Sequence, residues 1–430
     1  MPPTSILGCG GYFGAACCFA CSAPVSVQRW PGSEWLTGIW GAQATPTPAP
    51  VTTTVHFATW AASDAVDAYF RQRLAAYQQR QPGTQVDYLV LPNYATRLRT
   101  ALESVDPPDV VRINAFILPD LVDRGMLAPL PAWLVEQATL SPLLHTMTTV
   151  DGTPYCLPHE VNTLALLYNS ALFDAAQLPY PTAAWTWDTL RTTAEQLTDA
   201  DAGHYGLSLP ADMSRWLAFL YQAGGSVADP TYTTMTMNSP EAVNALQVYT
   251  NLVLDGMAAS PAMVGSSWSG EAFAQGQAAM IIEGNWIIPY LREQAPTLAY
   301  GVAPLPAGPA GQATVAFANC YAIAAGTANP VAAAALIDFL TSAESQTGWL
   351  SLTAALPTRS DVQDRWSIAY PTQLAFAQGL PHAHPWRFAP NFQPVVEQMN
   401  DGIQRIYGGF LLAEGVLSEV EIAGNERLQP

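Results

Sequence analysis

At 430 residues the chain exceeds what one ordinary hydrophobic core serves, so two lobes are the default expectation. Half of it is apolar, 10% is aromatic and only 12% is charged, the composition of a packed protein rather than a disordered one. The net charge is −18 and all 16 basic residues are arginine, so the basic face that nucleic acid requires is missing and a strongly anionic ligand is disfavoured, although one buried arginine would suffice for a single anionic group.

No apolar run reaches the roughly 18 residues of a transmembrane helix. Residues 5–21 (SILGCGGYFGAACCFAC) are apolar and small but lack the positive start of a secretory signal. Ile6-Leu7-Gly8-Cys9 has the form of a lipoprotein cleavage box but comes early, and Leu36-Thr37-Gly38 opens another in which Ile39 stands where cysteine belongs. Ala42-Gln43-Ala44 fits a small-residue cleavage site, and Thr45 to Pro50 reads as a stiff tether. The expectation is an exported protein, periplasmic or at the cell surface, with a lipid anchor left open and a cytoplasmic protein as the alternative. Residues 1–50 are set outside the fold.

From there short strand-like runs alternate with helical segments, which predicts α/β layers. VTTTVHFATW (51–60) alternates as a half-buried strand, and Tyr69 to Tyr77 has helical spacing. QRQPGTQVDYLVL (79–91) turns at Pro-Gly into a second strand, and PPDVVRIN (107–114) carries a third. Asp151-Gly152 marks a tight turn, followed by an apolar run from Tyr155 to Leu157 that Pro158 stops and by another from Leu164 to Tyr168 that ends at Asn169. Thr186 or Asp188 caps the helix of TWDTL, and Asn238 or Ser239 caps one that starts at Pro240. Pro330 to Ser342 is a further helix. There is no internal repeat.

The order and spacing of turn, two strands, YN and TWDTL over Val150 to Leu190 resembles the extracellular solute-binding proteins of ABC importers, the sugar-binding family that includes maltose-binding protein. PPDVVRINAFILPDLVDRGMLAPL (107–130), AFAQGQAAMIIEGNW (272–286), Gly301 to Pro306 and Leu356 to Arg359 extend the resemblance over about 51–425. It implies an α/β, two-lobed periplasmic-binding-protein fold with discontinuous lobes, a multi-strand hinge and the ligand in the interlobe cleft. Carried over, residues 51–156 and 321–368 form the first lobe and 157–320 and 369–430 the second. The implied partners are a sugar ligand and the transmembrane permease subunits with their ATPase; a monomer with no cofactor and no metal is expected. In that fold the PYCLP and FANCYAIAA runs lie side by side, so Cys156 and Cys320 either form a disulfide or stay as two buried thiols.

A neutral sugar needs aromatic faces to stack on and planar amides, carboxylates or arginine to bond its hydroxyls. Trp286, ending EGNW, is the first candidate for stacking, against a core role beside Ile287. Trp60 ends the first strand and Asp64 follows it, with helix capping as the rival role for Asp64. By register with the family, Asn162 takes a polar contact position; Glu160 is left out because Pro158 interrupts the alternation. Asn114 is a strand-end polar candidate with capping as its alternative. Trp216 stands at a helix start, between cleft and core, and Arg359 either reaches the cleft or ties the hinge by an ion pair. Trp386 and Phe392, in HPWRFAPNF, resemble the family's aromatic wall. Trp185 and Trp187 are assigned to the core.

His382-x-His384 lacks a third metal ligand, and Gly206-Leu207-Ser208-Leu209-Pro210 lacks the second glycine of a nucleophile elbow. The carboxylates Asp188, Glu195 and Glu283 are scattered. The leading reading is therefore a non-enzymatic sugar-binding protein. Its alternatives are the same fold with a peptide, polyamine or glycerol phosphate, and a secreted carbohydrate-active hydrolase.

Overall fold

Alternation is realised as soon as the first strand begins: in TTVHFATW the side chains of Val55 and Phe57 are fully buried on one face while Ala58 packs on the other. The computed structural model describes residues 52–428; the leader features at Ile6–Cys9, Leu36–Ile39 and Ala42–Ala44 and the tether lie outside them. The strands are β1 (Thr53–Trp60), β2 (Thr84–Leu91), β3 (Val110–Asn114), β4 (Leu127–Ala128), β5 (Thr149–Val150), β6 (Thr153–Pro154), β7 (Cys156–Asn169), β8 (Tyr205–Ser208), β9 (Ala258–Ala259), β10 (Ala278–Gly284), β11 (Tyr300–Ala303), β12 (Thr314–Ala324) and β13 (Ala383–Pro385).

All but the β5–β6 hairpin join one path of strands ordered β2-β1-β3-β12-β7-β10-β8-β9, with β4 and β13 on β12 and β11 on β7. The parallel part, β1 with β2 and β3, meets the part holding β10, β8 and β9 through two long antiparallel strands, β7 and β12. β7 is one strand of 14 residues rather than the two runs that Pro158 was expected to separate. The proline is accommodated because the ladder slips there: Asn319 faces Glu160, but Cys320 faces Pro158, leaving His159 unpaired. A residue without an N–H is tolerated at such an irregularity. Cys156 and Cys320 lie on these neighbouring strands and form a disulfide, their Cα atoms 5.6 Å apart.

Helix starts follow side-chain chemistry. Ser63, not Asp64, caps the helix Asp64–Arg80, its hydroxyl accepting from the Val66 N–H. Thr186 caps Trp187–Gln196 and Ser239 caps Pro240–Leu254. The helix from Pro330 ends at Leu340. Three buried clusters result. One draws on residues between Leu164 and Val315 and between Phe388 and Val420. A second, small one lies over Ala58, Val111, Ile113 and the disulfide. The third runs continuously behind β7 and β12, from Phe57 and Trp349 to Ile281 and Leu291.

Candidate functional site

In an antiparallel pair, residues directly opposite each other share a face. Past the slip, Glu160 stands opposite Asn319 and Asn162 opposite Phe317, so these four side chains line one side of the two long strands. Asn114, at the end of β3, stands opposite Asn319 in turn and donates to its side-chain oxygen at 3.2 Å. The Asn319 amide donates to Glu160. The Asn162 amide, 7% exposed, has no hydrogen-bond partner among the described residues. Of Asn114, Asn162 and Asn319 it is the amide without a partner among the described residues.

Aromatic rings continue the surface on both sides of Phe317. Trp286 meets Phe317 edge-on at 5.3 Å between centroids, and Trp386 meets it at 5.8 Å. Trp386 stacks on Phe116 at 5.4 Å and 19°. Its backbone is fixed because β13 lies beside β12 and the Trp386 N–H donates to the Ala316 carbonyl. Phe116 lies two residues after Asn114, whose side-chain oxygen accepts the Phe116 N–H at 2.8 Å. All four of these rings are only partly buried.

Each end of the face carries a buried ion pair. Arg112 donates to Glu160 at 3.3 Å and to His159 Nε2 at 3.1 Å, with its guanidinium between the rings of Trp60 (3.8 Å) and Trp349 (4.6 Å). Trp349 Nε1 donates to the other Glu160 oxygen at 2.6 Å. Burial, and then Arg112, holds the His159 pKa well below the ordinary histidine value. At the opposite end Arg215 donates to Glu283 at 2.6 Å, and Trp286 Nε1 donates to the same carboxylate oxygen at 3.0 Å. Burial pushes the Glu283 carboxyl upward, while Arg215 and Trp286 pull it back.

Of the residues expected at the site, Trp60, Asn114, Asn162, Trp286 and Trp386 come together here. The others do not. Trp216 is fully buried in the core formed by Leu164, Tyr249 and Met399, because helix Met213–Gln222 turns its apolar side inward. Phe392 is 3% exposed in that same core, stacked on Phe388 at 4.4 Å. Arg359 pairs with its neighbour Asp361 at 2.9 Å and lines a small recess with Leu134 and Asp338, away from the aromatic run. Asp64 is exposed at the first turn of its helix. Asn114 does cap the turn after β3, so the expected alternative holds alongside its place on the face. Phe116, Phe317, Asn319 and Arg215 were not singled out in the sequence, and Glu283 was considered only as one of several scattered carboxylates. The alternation of FAN in β12 puts Phe317 and Asn319 on one side, but only the β7 register shows which side.

Residues 61–347 match the family described as bacterial extracellular solute-binding protein. The chain belongs to that family. A protein of Brucella abortus described as a binding protein is 25% identical over 369 residues, 82% of this chain and 87% of the relative. Among solved structures, an ABC transporter solute-binding protein of Thermotoga lettingae bound with α-D-tagatose is 26% identical, with a TM-score of 0.78 and coverage of 88% of this chain and 100% of that one. An ABC substrate-binding protein of Listeria monocytogenes in complex with cycloalternan is 24% identical with a TM-score of 0.80, covering 88% and 99%. The fold is thus the two-lobed one of these proteins, and the chain is the solute-binding component of an ABC transporter. No helix among the described residues is long and apolar enough to cross a membrane.

Proposed function

We propose that this binding protein captures a neutral mono- or oligosaccharide between its lobes, outside the cytoplasmic membrane, and hands it as a monomer to a permease without chemically changing it. The observation that carries this is Asn162: one unpaired amide set opposite Phe317, with Trp286, Trp386 and Phe116 extending the ring surface and both nearby carboxylates already paired with arginine. Rings accept the apolar face of a pyranose, and an amide both donates to and accepts from hydroxyls. A charged ligand would require an unpaired counter-charge here. The relatives bound with tagatose and cycloalternan point the same way.

The lobes proposed are 51–156 with 321–368 and 157–320 with 369–430. Support comes from the first buried cluster, whose members all fall in the second of these, and from β7 and β12 as the strands that cross between them. Closure would follow from sugar contacts made by both lobes, which favour the closed state by the difference in affinity. The direct test is thermal unfolding against a panel of mono- and oligosaccharides, peptides, polyamines and glycerol phosphates. A sugar at about 100 times its dissociation constant adds roughly 2.7 kcal/mol, with no consumption of the sugar. A shift only with peptide, polyamine or glycerol phosphate would remove the sugar from this reading, and turnover of sugar would replace the binder with an enzyme.

A further inference from the structure

Trp286 occupies the junction between β10 and the helix Ile287–Gln294. An indole at such a junction has two rotatable bonds and needs something to hold it before a sugar arrives, since ordering it at binding would cost affinity. Three contacts do this. A Cβ at Gly284 would fall 2.2 Å from the indole, so the ring lies against backbone that only glycine leaves open. Phe317 meets it edge-on. The third is polar: Nε1 donates to Glu283, and the Arg215 guanidinium lies 5.5 Å from the ring centroid while holding the same carboxylate oxygen.

Glu283 is only 1% exposed and Arg215 comes from a different element, the helix Met213–Gln222. A carboxylate this buried cannot bond a sugar hydroxyl itself. Its reach into the site passes through the indole. We propose that Glu283, anchored by Arg215, is a positioning residue that fixes the Trp286 ring in its sugar-stacking pose. This rests on the assignment of Trp286 to the sugar site made above. A carboxylate accepts the indole N–H more strongly than a neutral group, and the ion pair prevents that carboxylate from turning away. The plainer role, an ion pair that merely ties the helix to β10, would leave the ring's own behaviour untouched when the pair is replaced by matched apolar groups.

The test compares wild type with Glu283→Gln, the double variant Arg215→Leu/Glu283→Leu, and Trp286→Ala, all as the full chain. The double variant removes both charges together, so no unpaired buried ion is left to block folding. The first readout needs no ligand: the 19F resonance of 5-fluorotryptophan at position 286, assigned by its loss in Trp286→Ala, and acrylamide quenching of tryptophan emission. The second is calorimetric titration with maltotetraose and with D-tagatose. In the double variant the resonance is expected to broaden or split, quenching to rise, and affinity to fall at least about tenfold, the equivalent of about 1.4 kcal/mol. Glu283→Gln keeps an acceptor for Nε1 but gives up the charge and the ion pair with Arg215, so its resonance and its affinity are expected to fall between those of wild type and the double variant. An unchanged resonance in the double variant overturns the inference whatever the sugars do. Affinity lost in Trp286→Ala but retained in the double variant overturns it as well. Affinity unchanged in Trp286→Ala, for a sugar that wild type binds, instead removes Trp286 from the site and with it the reading on which the inference rests.

Discussion

Two arginine–glutamate pairs, each with a tryptophan N–H on the carboxylate, stand at the two ends of one aromatic face, and they are built differently. Glu160 takes Arg112, Trp349 and Asn319 at once, and Arg112 is sandwiched between two indoles with its Nε on His159. Glu283 takes Arg215 and Trp286 alone, the Arg215 Nε has no partner, and a second carboxylate, Asp212, stands 3.7 Å from the guanidinium. In the first assembly the tryptophan bonded to the carboxylate is buried at 3% exposure; in the second it is partly open. The same three residue types therefore serve a sealed joint at one end and hold a surface ring at the other. What separates them is how many partners close over the carboxylate.

Breaking the sealed joint is expected to have the largest effect. Glu160→Ala leaves Arg112 buried without its counter-charge and should remove about 3–5 kcal/mol of unfolding free energy. Glu283→Ala should remove less, about 2 kcal/mol, because Asp212 remains near Arg215 and fewer donors are orphaned. Denaturant unfolding of both variants checks this, and equal losses would erase the distinction. The disulfide sits beside the sealed joint, with Cys320 next to Asn319 in β12. Replacing both cysteines by serine should cost roughly 2–4 kcal/mol by freeing a long loop in the unfolded chain. The same experiment with the sugar of highest affinity should leave the Trp286 end unaltered; a comparable loss of binding would mean that the two ends are coupled through the hinge strands.

The smallest effect sharpens the comparison through pH. His159 is buried, its Nε2 accepts from Arg112, and its folded pKa lies well below the ordinary value. The unfolded chain therefore takes up the proton first as pH falls through about 6.5. The stability due to a neutral His159 is complete above that value and declines below it, by up to about 1.4 kcal/mol per pH unit. His384, also lowered by burial, adds a slope of the same sign. His159→Gln should flatten the stability curve between about pH 6.5 and 5. An unchanged slope would show that the imidazole is protonated within the fold and the joint is not sealed.

The sequence carried much of this arrangement. Length and the alternation of strand-like and helical runs, beginning with 51–60, gave α/β layers and two lobes as the expectation, while Trp286, Asn162 and Trp386 became candidates through the family resemblance carried by YN, TWDTL, EGNW and HPWRFAPNF. These are local or ordered signals, so they survive in one dimension. Trp216 was ambiguous because a tryptophan at a helix start reads the same whether the helix turns it inward or outward. Pro158 was read as a strand stop because the slip that tolerates it belongs to the pairing with β12 and leaves no mark in PYCLPHEV.

Phe116, Phe317 and Asn319 were invisible for a related reason. Each is an ordinary residue of an apolar run until the register sets Phe317 opposite Asn162 and Asn319 opposite both Glu160 and Asn114. Residue types, periodicity and motif order determined what kind of chain this is, since those depend on neighbours close in sequence. Which carboxylate is sealed, which ring stays open and which amide is left unpaired were decided by strand pairing between segments more than 150 residues apart, where burial and the count of hydrogen-bond partners first acquire values.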